Sequence, residues 1–161
     1  MNKLKMFGVG PKIGKTAFPF ALFGIIAPLF WPQWFNFVEV LHPFLYPAGL
    51  ALFITGIISY GVSVKFLLKG LKNTTLVTTG PFYLCRNPLY TSIILLLIPG
   101  VSLIINSWPM LMVSIVAYIR FRMLIAAEYT EMATFFGKEW ERYRSNTPEF
   151  FPFPVKKWFK K

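Results

Sequence analysis

Apolar residues are gathered into four long stretches along this chain, and short polar or proline-containing segments separate them. The stretches cover approximately residues 16–35, 44–64, 89–105 and 108–127. A helix needs roughly 20 apolar residues to cross the hydrocarbon core of a bilayer, and each stretch reaches or approaches that length. The pattern therefore predicts an all-α integral membrane protein with four transmembrane helices, in a single domain of residues 1–161.

From Glu128 onward the pattern changes. Apolar side chains recur at helical spacing and form one stripe: Tyr129, Met132, Ala133, Phe136, Trp140 and Tyr143. Charged residues fall largely on the other face, which is typical of an amphipathic helix at a membrane surface. Gly137 interrupts the stripe and is a candidate bend. Residues 128–161 are thus predicted to form a C-terminal interfacial amphipathic helix and a tail whose aromatic and lysine residues suit anionic headgroups.

Lys and Arg residues outnumber acidic residues by 17 to 6, and their positions predict an orientation. All 17 lie in the lead-in of residues 1–15, between the second and third stretches, or from Arg120 onward. The connections WPQWFNFVEVLHP and NSWP contain none. By the positive-inside rule, both termini are expected in the cytoplasm, as in a prokaryotic inner membrane. The basic excess therefore indicates anionic membrane lipids and not nucleic acid as the partner.

Scarce residue types exclude several kinds of chemistry. The chain contains one cysteine, Cys85, and one histidine, His42. It therefore lacks the residues for an internal disulfide, a zinc site or a histidine-rich di-iron centre. His42 is expected on the non-cytoplasmic side, too far from the polar segments for a Ser-His-acid triad. The segment GVGPKIGK matches neither Rossmann nor Walker spacing, and is interpreted as a flexible interfacial lead-in. No metal site is expected.

Three polar pieces remain: TGPFYLCRNPLY, a Glu directly after the fourth stretch, and FFGKEWERYRSNTPEFFPF. Their order and spacing resemble the integral-membrane methyltransferases that include isoprenylcysteine carboxyl methyltransferase and the phosphatidylethanolamine N-methyltransferases. The resemblance covers about residues 75–153. It implies S-adenosylmethionine as the methyl donor, bound at the cytoplasmic interface. It also implies a lipid-like or prenylated acceptor that enters from the bilayer and is methylated on a carboxylate or an amine.

The resemblance also implies site residues by position. By position, those expected to bind the donor are Thr79, Gly80, Pro81, Arg86, Asn87, Tyr90 and Glu128. Tyr83 stands where the family has Arg, and it is expected to bind the donor because its ring could stack on the adenosine. Arg86 could pair with the donor's carboxylate, and Glu128 with its amino group or sulfonium. Together with Arg120, which enters the inner half of the bilayer about 18 Å of helix beyond Trp108, these two are the catalytic candidates. The chain departs from the family pattern at Tyr129, which stands where a second Glu is usual.

Each of these residues also has a purely structural interpretation. Asn87 and Pro88 suit the start of a helix, and Arg86 suits a snorkelling anchor at the interface. Glu128 suits the first turn of a helix, and Tyr90 an aromatic belt. Arg120 and Arg122 lie about 200° apart on a helix, so only one of them can face a pocket.

Two rival functions differ from methyl transfer. A sterol-type reductase that uses NADPH has a related Arg-His-Pro-x-Tyr loop, but in a much longer chain with more spans. A small membrane scaffold or transport accessory protein would need only the helices and the basic interfacial segment. The sequence leaves the acceptor and the oligomeric state open.

Overall fold

The computed structural model describes residues 8–150. Predictions that concern residues 1–7 and 151–161, including the contact of the tail with headgroups, lie outside the described residues. The described part is helical and contains no strand. Its helices are α1 (Gly10–Phe30), α2 (Pro32–Phe35), α3 (His42–Asn73), α4 (Pro81–Leu84), α5 (Pro88–Ile104), α6 (Pro109–Phe136) and α7 (Lys138–Asn146), with a 3₁₀ turn at Glu39–Leu41.

Within the described part, α1, α3 and α6 are long and apolar enough to cross a membrane, whereas α5 is apolar but shorter. These four helices correspond to the four predicted stretches. Helix α6 does not end near residue 127, as the sequence pattern suggested, but continues through Glu128 to Phe136. The reason is local: no Gly or Pro interrupts residues 110–136, so nothing ends the helix before Gly137. Gly137 has a positive φ of 51° and separates α6 from α7, which confirms the predicted bend.

Helices α3 and α5 pack closely because α3 presents small residues at every seventh position. These are Gly49, Gly56, Ser63 and Gly70, all buried; Gly49 and Gly56 face α5, whereas Gly70 faces Thr75 and Val77 of the following loop. A Cβ added to Gly49 would lie 2.7 Å from Leu103, and one added to Gly56 would lie 2.8 Å from Leu97. Small residues allow helix backbones to approach in the absence of water, when dispersion contacts replace the hydrophobic effect. The later residue of α3 contacts the earlier residue of α5 in these two pairs, so the two helices are antiparallel.

Helices α1 and α6 form the other close pair. A Cβ on Gly24 would lie 3.1 Å from the backbone nitrogen of Met110. Nearby, Ser107 Oγ donates a hydrogen bond of 2.6 Å to the carbonyl of Gly24. At the opposite ends of the same helices, the backbone N–H of Val9 reaches Glu128. The pair is therefore antiparallel, and the starts of α1 and α5 lie at the same end of the bundle as Glu128.

Large apolar side chains cover the outside of the helices. Examples are Leu29 of α1, which is 75% exposed, Phe44 of α3, 74% exposed, and Met123 of α6, 63% exposed. Such surfaces are costly in water but suit lipid, where the backbone groups of a helix are already satisfied internally. The protein is therefore an integral membrane protein.

Candidate functional site

A cavity of about 360 Å³ lies at the end of the bundle where α1 and α5 begin. Its polar lining residues come from the loop before α5, from α5, α6 and α7: Arg86, Asn87, Tyr90, Glu128, Tyr129 and Trp140. Its apolar wall lies between α3 and α5 and includes Leu67, Leu71, Leu89 and Ile93. The volume is within the range of roughly 300–1,000 Å³ that small-molecule sites occupy.

The loop that carries Arg86 is shaped by glycine and proline. Gly80 has a φ of 63°, which a residue with a Cβ adopts only with strain, and an added Cβ would lie 2.6 Å from the ring of Phe66. Pro81 and Pro88 stand in the first turns of α4 and α5, where the missing N–H costs nothing. The backbone N–H of Arg86 donates a 2.8 Å hydrogen bond to the carbonyl of Pro148. The C-terminal segment thus fastens the loop next to the cavity.

Asn87 links this loop to α6 and to the C-terminal segment. Its Nδ2 donates to the hydroxyl of Tyr129 at 2.6 Å and to the carbonyl of Glu149 at 2.9 Å. The guanidinium carbon of Arg86 lies 4.9 Å from the centre of the Tyr129 ring, a cation–π distance. Tyr129 replaces the second acid of the family pattern. Its hydroxyl accepts the hydrogen bond from Asn87, and the face of its ring contacts the guanidinium of Arg86.

Glu128 is contacted by the start of the chain. Its carboxylate accepts hydrogen bonds of 3.3 Å from the backbone N–H of Val9 and from the hydroxyl of Tyr90. Gly8 has a φ of 46°, and an added Cβ would lie 2.6 Å from Oε2 of Glu128. The lead-in was predicted to be flexible, but residues from Gly8 onward are part of the site, and α1 begins at Gly10. Pro11 lies in the first turn of α1, and a proline there is the sequence feature that could have predicted the start of this helix.

Helix α7 closes the cavity from the other side. Trp140 is 4% exposed, and its ring centre lies 5.3 Å from that of Tyr129. Tyr143 donates a 2.6 Å hydrogen bond to the carbonyl of Phe82, and burial raises the pKa of Tyr143, so its hydroxyl stays protonated as a donor. The predicted apolar stripe is confirmed: all six of its residues are buried or half-buried. Four of the six residues belong to α6, and the two on α7 contact Tyr129 and the carbonyl of Phe82, so the stripe joins α7 to α6 and to the loop.

Four of the expected site residues meet in the cavity: Arg86, Asn87, Tyr90 and Glu128. The other five are not among the described residues that line it, and their roles stay predictions: Thr79, Gly80, Pro81, Tyr83 and Arg120. Tyr83 is 76% exposed. Arg120 contacts Met123 on its own helix at 3.8 Å, while Arg122 forms an ion pair with Glu149. Neither arginine lines the cavity.

Replacing Gly8 with alanine should lower the free energy of unfolding by about 1–2 kcal/mol, the cost of a positive φ for a residue with a Cβ. The new Cβ would also displace Glu128. Gly14→Ala is the matched control, because nothing lies within 4 Å of a Cβ at that position of α1. Thermal unfolding in detergent measures both variants. Equal stability of the two would show that the start of the chain does not rest on Glu128.

Comparison with known proteins gives the family. The model of the phospholipid methyltransferase family matches residues 41–139, which run from the start of α3 to the start of α7. The cobalt-zinc-cadmium resistance protein CzcN of Cupriavidus metallidurans is 36% identical over 86 residues, which are 53% of this chain and 39% of CzcN. This chain therefore spans well under half the length of that relative. No solved structure matches the chain. Because the family match covers most of the chain and includes Arg86, Asn87, Tyr90 and Glu128, the chain belongs to the phospholipid methyltransferase family of membrane proteins.

Proposed function

We propose that this protein transfers a methyl group from S-adenosylmethionine to a lipid-like or isoprenoid-linked acceptor at the cytoplasmic membrane interface. One observation carries the proposal: Arg86 and Glu128 line the same cavity, and Nε and Nη1 of Arg86 are buried without a hydrogen-bond partner. Buried guanidinium nitrogens without an acceptor favour an anion, and a half-buried carboxylate favours a neighbouring cation. A ligand that carries both charges satisfies both groups.

S-adenosylmethionine fits these residues and supplies a methyl group on a positively charged sulfur. Arg86 would hold its carboxylate, and Glu128 would stand against its amino group or sulfonium. Asn87 and Tyr129 position Arg86 through the contacts that they make with the loop. The protein's contribution is to align two reactants and to exclude water, since methyl transfer disperses charge without creating it.

The apolar wall supports a lipid-like acceptor. Leu67 and Leu71 of α3 and Leu89 and Ile93 of α5 offer an alkyl chain a dry path along the helices. Tyr60 lines the same wall and is 37% exposed, which supports an opening of the cavity on this side, towards the bilayer. A carboxylate acceptor needs no base. An amine acceptor must lose a proton before attack, and Glu128 is the carboxylate in reach of the cavity.

Removing the charge of Glu128 tests the proposal. Glu128→Gln keeps the size of the side chain, so we expect affinity for S-adenosylmethionine to fall about 10-fold or more through loss of a charge-assisted contact. Glu131→Gln, about one turn further along α6 and exposed, should bind as the wild type does. Isothermal calorimetry in detergent measures both. A wild-type protein that does not bind S-adenosylmethionine would remove the basis of the proposal.

We also propose that α5 crosses the membrane with α1, α3 and α6, in one domain with both termini in the cytoplasm of a prokaryotic cell. Helix α5 is about 26 Å long at 1.5 Å per residue and runs antiparallel to α3. Single cysteines test the orientation in a Cys85→Ser background. In intact cells, Gln33→Cys should react with a membrane-impermeant maleimide and Lys72→Cys should not. The reverse labelling pattern would place both termini on the non-cytoplasmic side and contradict the proposed orientation.

A further inference from the structure

Two side chains at the loop–α7 junction have buried hydrogen-bond donors without acceptors. Arg86 and Trp140 line both the 360 Å³ cavity and a smaller cavity of about 60 Å³ next to it. Nε and Nη1 of Arg86 and Nε1 of Trp140 are buried and have no hydrogen-bond partner. Guanidinium and indole nitrogens donate and do not accept. These three nitrogens are therefore donors that lack an acceptor.

The charge of Arg86 meets the ring of Tyr129 but no carboxylate. In residues 8–150, the ion pair that forms is Arg122–Glu149, on the outer surface, and no carboxylate pairs with Arg86. Glu128 lines the larger cavity but not the smaller one. An anion at the Arg86–Trp140 wall would thus meet a positive charge and an N–H. Buried donors that remain unsatisfied are costly, so a ligand that accepts from them gains affinity.

We infer that Arg86 and Trp140 together form an anion-binding subsite, in which the guanidinium and the indole N–H bind the oxygens of one carboxylate or phosphate group. This rests on the proposed function and names a further binding residue for it. The apolar stripe alone requires only an aromatic ring at position 140, and phenylalanine would meet that need. The indole N–H is the added feature. Tyr143 cannot replace it, because its hydroxyl donates to the carbonyl of Phe82.

Two sources could supply the anion: the carboxylate of S-adenosylmethionine or the phosphate of a lipid. Trp140→Phe removes the N–H and keeps an aromatic ring. Calorimetry in maltoside micelles compares wild type and variant with four probes: S-adenosylmethionine, its decarboxylated analogue, methylthioadenosine and phosphatidic acid. We expect about 10-fold weaker binding of either S-adenosylmethionine or phosphatidic acid, whichever occupies the subsite, and unchanged binding of the two nucleosides without a carboxylate.

Trp108→Phe is the matched control, because the Trp108 indole N–H donates a 2.8 Å hydrogen bond to the carbonyl of Trp34 at the opposite end of the bundle. It should leave the binding of all four probes unchanged. If Trp140→Phe binds S-adenosylmethionine and phosphatidic acid as tightly as the wild type, the subsite is wrong and the proposed function stands. If the wild type binds none of the nucleosides, the proposed function fails, and if it does not bind phosphatidic acid either, the subsite fails with it.

A second measurement does not depend on how well the variant folds. The indole N–H groups of the five tryptophans of the wild type can be followed by ¹⁵N NMR. An anionic probe that occupies the subsite should shift one indole resonance, and the decarboxylated analogue should not shift that resonance. If no indole resonance responds to S-adenosylmethionine or to phosphatidic acid, the subsite is overturned.

Discussion

Replacing Arg86 with alanine should weaken binding of S-adenosylmethionine by about 100-fold, and it should leave the fold intact. Loss of one partner of a buried, hydrogen-bonded charge pair costs roughly 2–5 kcal/mol of binding free energy. The loop should survive, because its contact with the C-terminal segment is made by the backbone N–H of residue 86 and not by the side chain. Asn87 keeps its bonds to Tyr129 and Glu149, because its own side-chain amide donates both of them and Arg86 takes no part.

The control for Arg86→Ala is a second arginine that forms a contact outside the cavity. Arg122→Ala breaks the ion pair with Glu149, but Arg122 is 57% exposed, and exposed pairs contribute about 0–1 kcal/mol. Donor affinity should therefore change less than fivefold in Arg122→Ala. Calorimetry gives the affinities and thermal unfolding checks the fold. Equal donor affinity in the two variants would mean that Arg86 is an interfacial anchor and does not bind the donor.

Replacing Gly100 with leucine should prevent α3 and α5 from packing. An added Cβ would lie 2.8 Å from the backbone nitrogen of Phe53 and 3.0 Å from the carbonyl oxygen of Gly49. Both neighbours are backbone atoms, so the clash is relieved only if the helices separate. Overpacking of a core costs about 1–3 kcal/mol, and more where the backbone itself has to move. We expect a loss of at least about 3 kcal/mol and aggregation in detergent.

Gly61→Leu is the matched control for Gly100→Leu, because nothing lies within 4 Å of a Cβ at Gly61. Gly61 lies on the exposed side of α3, where leucine faces lipid. Size-exclusion chromatography and thermal unfolding compare the two proteins. If both elute and unfold alike, the close approach of α3 and α5 does not hold the bundle together.

The helices could be predicted from the sequence because apolar content is a local property. All four stretches correspond to helices in the structure, but their limits differ. Helix α1 begins at Gly10, before the predicted start at residue 16, and α3 continues to Asn73, beyond the predicted end at residue 64. Both extensions contain lysines, which the predicted apolar stretches leave out. A hydropathy pattern predicts which residues lie in the hydrocarbon core of the membrane. A helix can extend beyond the core and ends where its backbone hydrogen bonds are interrupted, for example at a glycine or a proline.

The site could be predicted only in part, because the resemblance gives residue types and not the contacts between them. It identified Arg86, Asn87, Tyr90 and Glu128, which the fold brings into one cavity. Three contributions come from the backbone: the N–H of Val9 and the carbonyls of Pro148 and Glu149. Any residue type offers a carbonyl, so such contacts leave no pattern in a single sequence. Trp140 was visible only as one member of an apolar stripe.

Distant parts of the chain meet at the cavity. Val9 reaches Glu128, and the carbonyls of Pro148 and Glu149 hold Arg86 and Asn87 in place. On the ribosome, residues 148 and 149 are made after the whole of α6. The helices can therefore enter the membrane and pair before the site exists, so newly inserted protein has to complete a late docking step before it can bind any ligand.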